Sequence, residues 1–203
     1  IGYYYMIRNY YELEEKAKAG PALADFNGNG LDDIVLGTDN NHVYLFYDDG
    51  STAPGFPFIA SDKFQTAPSI ADIDGLKIIF AGNNDNYLYA INSDGSLRFS
   101  VLTNDRVNTS PAFVNINSNL YVMFGSRDRH IYALDIDGNS LPGWPIDVGG
   151  NIEGSIVFSD LDNNTFPEIV AVTDAGTIYA FQENGNLYHH FPISHGLPFT
   201  GSP

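Results

Sequence analysis

The chain has no cysteine among its 203 residues. No disulfide framework can hold it, and no thiolate can act as nucleophile or metal ligand. Export is not excluded on that ground, because Ca²⁺ can staple a secreted fold and extracellular Ca²⁺ modules work at millimolar concentration. Basic residues are scarce as well. Nine Lys and Arg stand against 25 Asp and Glu, for a formal charge of −16 and a pI near 4.3. So acidic a chain offers no basic stripe for nucleic acid or an anionic membrane. No apolar run approaches the roughly 18 residues that span a bilayer, so no membrane insertion is expected. G-x-S-x-G, P-loop and H-E-x-x-H motifs are missing, and with them the commonest routes to hydrolysis and nucleotide chemistry. His42, His130, His189, His190 and His195 fall at no ligand spacing.

What the chain has is a repeat. Its units start at 21, 68, 111 and 156, spaced by 47, 43 and 45 residues. Each opens on a short run such as Pro21-Ala22-Leu23-Ala24-Asp25, continues through two apolar runs such as Ile34–Gly37 and Val43–Phe46, and turns at Asp-Gly or Asn-Gly. Self-similarity at this period signals a propeller or a solenoid. Asp-Gly and Asn-Gly between Ile/Val/Tyr/Phe runs are hairpin signals. The second run of each unit is apolar on consecutive residues, as in a sheet covered on both faces. The first run carries small residues at alternate positions, suited to a crowded innermost strand. The expected fold is all-β: a β-propeller of four-stranded antiparallel blades at about 21–67, 68–110, 111–155 and 156–199, with 200–203 as the start of a fifth. A β-sandwich also repeats short strands, but not in four in-register copies.

Residues 1–20 stand outside the repeat. Gly2–Ile7 reads as a strand, and Tyr11 to Ala19 as a short helix with Glu12–Lys16 and Glu14–Lys18 pairs and a Gly20-Pro21 stop. The cluster Tyr3, Tyr4, Tyr5, Tyr10 and Tyr11 is either a binding platform or the remains of a preceding blade. The chain begins with Ile, shows no signal peptide, and ends on Thr200-Gly201-Ser202-Pro203, similar to Asn108-Thr109-Ser110-Pro111. A fragment of a larger propeller is therefore one expectation. Ring closure by the N-terminal segment, or self-association through the end blades, is the other.

The loop of unit one points to a metal. Asp25, Asn27, Asn29 and Asp33 stand at positions 1, 3, 5 and 9, Gly30 at 6, and the Leu31 carbonyl at 7. Ca²⁺ takes six to eight such oxygens. Position 12 is Leu36 rather than the Glu of an EF-hand, so the loop joins strands, not helices. Unit four offers Asp160, Asp162, Asn164, the Phe166 carbonyl and Glu168, with Thr165 in place of the Gly. Unit two keeps only Asp72-Ile73-Asp74-Gly75 and unit three Asn115-Ile116-Asn117-Ser118-Asn119; both are expected to hold no metal. Asp/Asn/Gly loops also make ordinary tight turns, which is the competing reading.

The pattern D-x-[DN]-x-[DN]-G-x-x-D between two strands resembles FG-GAP and VCBS repeats. These build the propeller of integrin α chains and of many secreted bacterial proteins. Pro54-Gly55-Phe56-Pro57 and Leu141-Pro142-Gly143-Trp144-Pro145 resemble the endings of the bacterial members. The resemblance implies an extracellular, cell-surface or periplasmic location. It implies adhesion or binding of a protein or carbohydrate ligand, and no chemistry of the propeller's own. Two alternatives stand beside it. One is a non-catalytic propeller within a larger secreted enzyme. The other is a propeller enzyme, quinoprotein-like or polysaccharide-active. Runs such as Ile131-Tyr132-Ala133-Leu134 also resemble quinoprotein blades, but those carry tryptophan girdles and this chain has one Trp.

Overall fold

The computed structural model describes residues 13 and 15–203. All regular structure among them is strand, arranged as four antiparallel sheets in which strands follow one another in chain order. The first sheet is β1 (Ala22–Ala24), β2 (Asp33–Gly37), β3 (His42–Phe46) and β4 (Phe58–Ile59). The second is β5 (Ser69–Ile73), β6 (Leu76–Gly82), β7 (Tyr87–Asn92) and β8 (Leu97–Leu102). The third is β9 (Ala112–Ile116), β10 (Asn119–Gly125), β11 (His130–Asp135) and β12 (Ile146–Asp147). The fourth is β13 (Val157–Ser159), β14 (Glu168–Val172), β15 (Thr177–Phe181) and β16 (Ile193–Ser194). The expected four-stranded blades are present. Three of the outer strands are two residues long, and each follows an aromatic–Pro pair: Phe56-Pro57, Trp144-Pro145 and Phe191-Pro192. Proline has no N–H for a ladder, so pairing starts just beyond it. Blade two lacks that proline, and its outer strand β8 runs six residues.

The middle strands explain the unbroken apolar runs. Successive side chains of a strand point to opposite faces. In β6, Ile79 and Ala81 enter the core between blades one and two, while Ile78 and Phe80 enter the core between blades two and three. In β10, Val122 and Phe124 face blade two and Met123 faces blade four. Among the described residues, three such cores lie between successive blades.

Connectors return from each outer strand to the next inner strand and seal these cores. Phe64, Val107 and Ile152 each donate a backbone N–H to the residue after the second strand, the carbonyls of Thr38, Asn83 and Ser126. They lie against Gly37, Gly82 and Gly125. A Cβ on Gly82 would stand 2.7 Å from the Val107 carbonyl oxygen, so the strand must end in glycine there. Blade four has Val172 at that position, and Phe199 makes the equivalent bond to Thr173.

The helix expected over Tyr11 to Ala19 is not formed at residues 15–19. The Lys16 carbonyl instead accepts the Asp39 N–H at 2.8 Å, and Lys18 Nζ lies 4.0 Å from the Asp39 carboxylate. A tertiary bond to blade one has replaced the local helical ones. Glu12 and Glu14, the strand expected over Gly2–Ile7 and all five tyrosines of the N-terminal cluster lie outside the described residues.

Candidate metal loops

The first and second strands of each blade are joined at one end of the sheet. Loops 25–33 and 160–168 are therefore placed at the same edge of blades one and four. Both are organised by their first aspartate. Asp25 Oδ1 accepts the N–H groups of Gly28 at 2.7 Å and Asn29 at 3.2 Å, and its Oδ2 accepts that of Gly30 at 2.7 Å. Asp160 Oδ1 accepts Asn164 N–H at 3.0 Å and its Oδ2 accepts Thr165 N–H at 2.9 Å. Asn29 Oδ1 accepts Leu31 N–H at 2.8 Å, and Asn164 Oδ1 accepts Phe166 N–H at 2.7 Å. The last carboxylate closes the loop in both cases: Asp33 Oδ2 accepts Phe26 N–H and Glu168 Oε2 accepts Leu161 N–H, each at 2.7 Å. Asp33 and Glu168 are buried, at 0% and 2% exposure, as the first residues of β2 and β14. Leu31 and Phe166 turn their side chains to solvent, so only their main chain is available at position 7.

The two loops thus follow one hydrogen-bonding scheme. The Gly28 and Gly30 turns have φ of 78° and 85°, and Asn163 and Thr165 take the same left-handed region at 61° and 76°. That region is costly for a β-branched residue. Thr165 adopts it nonetheless, so losing the glycine has not diverted the loop. The bond from Gly30, with those from Gly28 and Asn29, holds the Asp25 carboxyl below the ordinary carboxylate value. Desolvation by the surrounding loop works against Asp160, but the N–H groups of Thr165, Asn164 and their neighbours outweigh it and lower its pKa too. Both aspartates are therefore anionic at neutral pH.

The residues fit a hard cation. Ligand atoms of Asp160, Asp162 and Glu168 lie within 4.8 Å of one another. An ion about 2.3–2.6 Å from each oxygen allows ligand pairs up to about 5 Å apart. In loop one the corresponding set is Asp25, Asn27, Asn29 and Asp33, with Asn27 Nδ2 3.4 Å from Asp33 Oδ1.

The eroded loops have found substitutes. In blade two Lys77 Nζ lies 3.1 Å from Asp72 Oδ2, so an ammonium group neutralises the leading aspartate. In blade three Asn117 and Ser118, at φ of 50° and 65°, make a tight turn without a carboxylate. The structure also brings in two acids that the loop spacing did not single out. Asn29 Nδ2 donates to Asp48 Oδ1 at 2.7 Å, and Asp48 N–H donates to Asp33 Oδ1 at 2.9 Å. Glu183, the same hairpin position in blade four, lines a 150 Å³ cavity with Asn164, Phe166 and Glu168. Blades two and three carry Ser93 and Ile136 there. An acid at this hairpin accompanies the full loop, and aligning the hairpins across the repeat would have found it. Along the same edge, Asp72, Asp74, Asp135 and Asp137 line a 680 Å³ groove between blades two and three. His42 and His130 begin β3 and β11 at the opposite end, bonded to Tyr44 and Asp128.

The sequence matches no protein-family model and no curated protein. Its fold is similar to that of solved structures. BamB from Moraxella catarrhalis aligns with a TM-score of 0.67 and 15% identity, over 93% of this chain and 53% of that one. BBS1N in complex with ARL6DN aligns with a TM-score of 0.63 and 14% identity, over 95% of this chain and 60% of that one. The computationally designed Ika4 protein gives 0.56 and 16%, over 83% and 92%. The chain therefore spans about half the length of BamB and three-fifths of BBS1N. At these identities the likeness carries the fold, a β-propeller array, and no more.

Proposed function

We propose that the chain is a Ca²⁺-stabilised propeller that acts as a binding or scaffold module and performs no chemistry itself. The observation that carries the metal reading is the shared hydrogen-bonding scheme of loops 25–33 and 160–168, which gathers Asp160, Asp162 and Glu168 within 4.8 Å. Blade one would bind through Asp25, Asn27, Asn29, Asp33 and the Leu31 carbonyl. Blade four would use Asp160, Asp162, Asn164, Glu168 and the Phe166 carbonyl. Asp48 and Glu183 stand beside these sets as further oxygen donors. Bound Ca²⁺ would offset charge in a chain of −16 and cross-link the inner hairpin of each blade. The loops resemble those of FG-GAP and VCBS repeats, which supports the same reading. A Ca²⁺-dependent fold suits an extracellular, cell-surface or periplasmic setting. The ligand would be a protein or a carbohydrate. That BBS1N is found in complex with ARL6DN supports a protein.

Titration calorimetry of chelator-treated protein should count two Ca²⁺ per chain. Asp25→Ala and Asp160→Ala should each remove one, and Asn115→Ala none. A site filled to 100 times its Kd adds about 2.7 kcal/mol, so melts in Ca²⁺ and in chelator should separate. Identical melting temperatures and no heat of binding would overturn the metal reading.

A further inference from the structure

Blades one and four each pair an asparagine at position 5 of the first loop with an acid at the third-strand hairpin: Asn29 with Asp48, and Asn164 with Glu183. The same hairpin position holds Ser93 in blade two and Ile136 in blade three, and neither of those blades has the full loop. The pairing thus goes with the loop and not with the hairpin, which all four blades share. In blade one it is a direct contact: Asn29 Nδ2 donates to Asp48 Oδ1 at 2.7 Å, across 19 positions of chain. In blade four Asn164 and Glu183 line one cavity.

The two ends of an asparagine amide have nearly the same shape and opposite hydrogen-bonding character, and an ionised carboxylate can only accept. Asp48 must therefore face the NH₂ end of Asn29. That leaves Asn29 Oδ1 on the other side, where it accepts the Leu31 N–H at 2.8 Å. Asn29 is exposed, so packing does little to choose between its two ends. Asp48 is itself anchored, because its N–H donates to Asp33 Oδ1 at 2.9 Å and Asp33 is wholly buried. An aspartate in place of Asn29 would set two carboxylates in contact, which is why the hairpin acid and the asparagine belong together.

We infer that Asp48 is a positioning residue for loop one: it acts through Asn29, turning that amide so that its oxygen is the end available to an ion. The inference rests on loop 25–33 holding Ca²⁺. An amide nitrogen that carries its hydrogens cannot ligate a hard cation, so a loop in which Asn29 flips freely offers one donor fewer for part of the time. Side chains that orient a metal ligand typically contribute about 10–100-fold to affinity.

In protein carrying Asp160→Ala, loop one is the site that Ca²⁺ calorimetry counts. There Asp48→Ala should weaken binding about 10–100-fold. The variant keeps the main-chain N–H that donates to Asp33, so the hairpin stays anchored. Asn29→Ser retains an oxygen at position 5 and removes the NH₂ group that Asp48 holds. On that background the further loss from Asp48→Ala should largely vanish, because the two residues act as one unit. Equal losses on both backgrounds overturn the inference, since Asp48 would then act on the ion directly or by its charge alone. Unchanged affinity in Asp48→Ala overturns it too. Failure of the wild type to bind any Ca²⁺ is a different result: it overturns the metal reading, and this inference with it. Should Asn29→Ser bind too weakly to measure, the metal-free protein decides. The Asn29 side-chain amide protons should exchange with solvent more slowly in the wild type than in Asp48→Ala, and equal rates overturn the inference.

Discussion

Asp128 typifies how this chain uses its carboxylates: as fixed acceptors at turns more than as partners of basic residues. It takes the Tyr132 hydroxyl at 2.6 Å, Asn104 N–H at 2.9 Å and His130 N–H at 3.0 Å. Burial alone would raise its pKa, but those bonds, helped by the His130 ring beside it, hold it below the ordinary 3.8. A carboxyl whose folded pKa is depressed stabilises the fold above its unfolded pKa, and that contribution is lost as pH falls through the folded value. Asp128→Asn should therefore be less stable than the wild type by a constant margin from pH 7 to about pH 4.5. Below about pH 4 the margin should narrow. Urea midpoints across that range check it, and a margin unchanged down to about pH 2.5 would contradict the assignment.

At the scale of elements, the connectors matter more than the outer strands they follow. Ile152 sits between β12 and β13 and is 0% exposed, inside the core between blades three and four. Ile59, at the end of the two-residue strand β4, is 61% exposed. Truncating a buried isoleucine removes its transfer energy and leaves a cavity. Ile152→Ala should cost about 2–5 kcal/mol. Ile59→Ala should stay within about 0.5 kcal/mol. Comparable losses for the two would mean that the outer strands carry packing that their exposure does not suggest.

Among the described residues the blades follow one another in series, with their cores between neighbours rather than at one centre. Ile79 belongs to the first core and Ile169 to the third, with a full core between them. In such arrays stability is close to a sum of nearest-neighbour terms. Ile79→Ala and Ile169→Ala should therefore add to within about 0.5 kcal/mol in the double variant. Chemical denaturation of the four proteins of that cycle measures it. A coupling above about 1 kcal/mol would show that strain passes from blade to blade.

The sequence alone determined what is local and repeated. The spacing of Asp, Asn and Gly in residues 25–33 set the loop path, and Asp-Gly turns between Ile/Val/Tyr runs set the hairpins. Four copies in register then left few folds but a stack of blades. Tertiary structure alone decided the rest. Residues 15–19 have helix-forming side chains, yet Asp39 claims the Lys16 carbonyl from 23 positions away. Asp48 and Glu183 come beside loops 25–33 and 160–168 because the turn after the first strand and the turn after the third strand of an antiparallel sheet share one edge. Lys77 reaches Asp72 only because the short hairpin of blade two pairs them directly across the strands. Local preferences act over a few residues and can be read along the chain. Contacts across strands and blades depend on register and on which face meets which, and those exist only once the sheets have stacked.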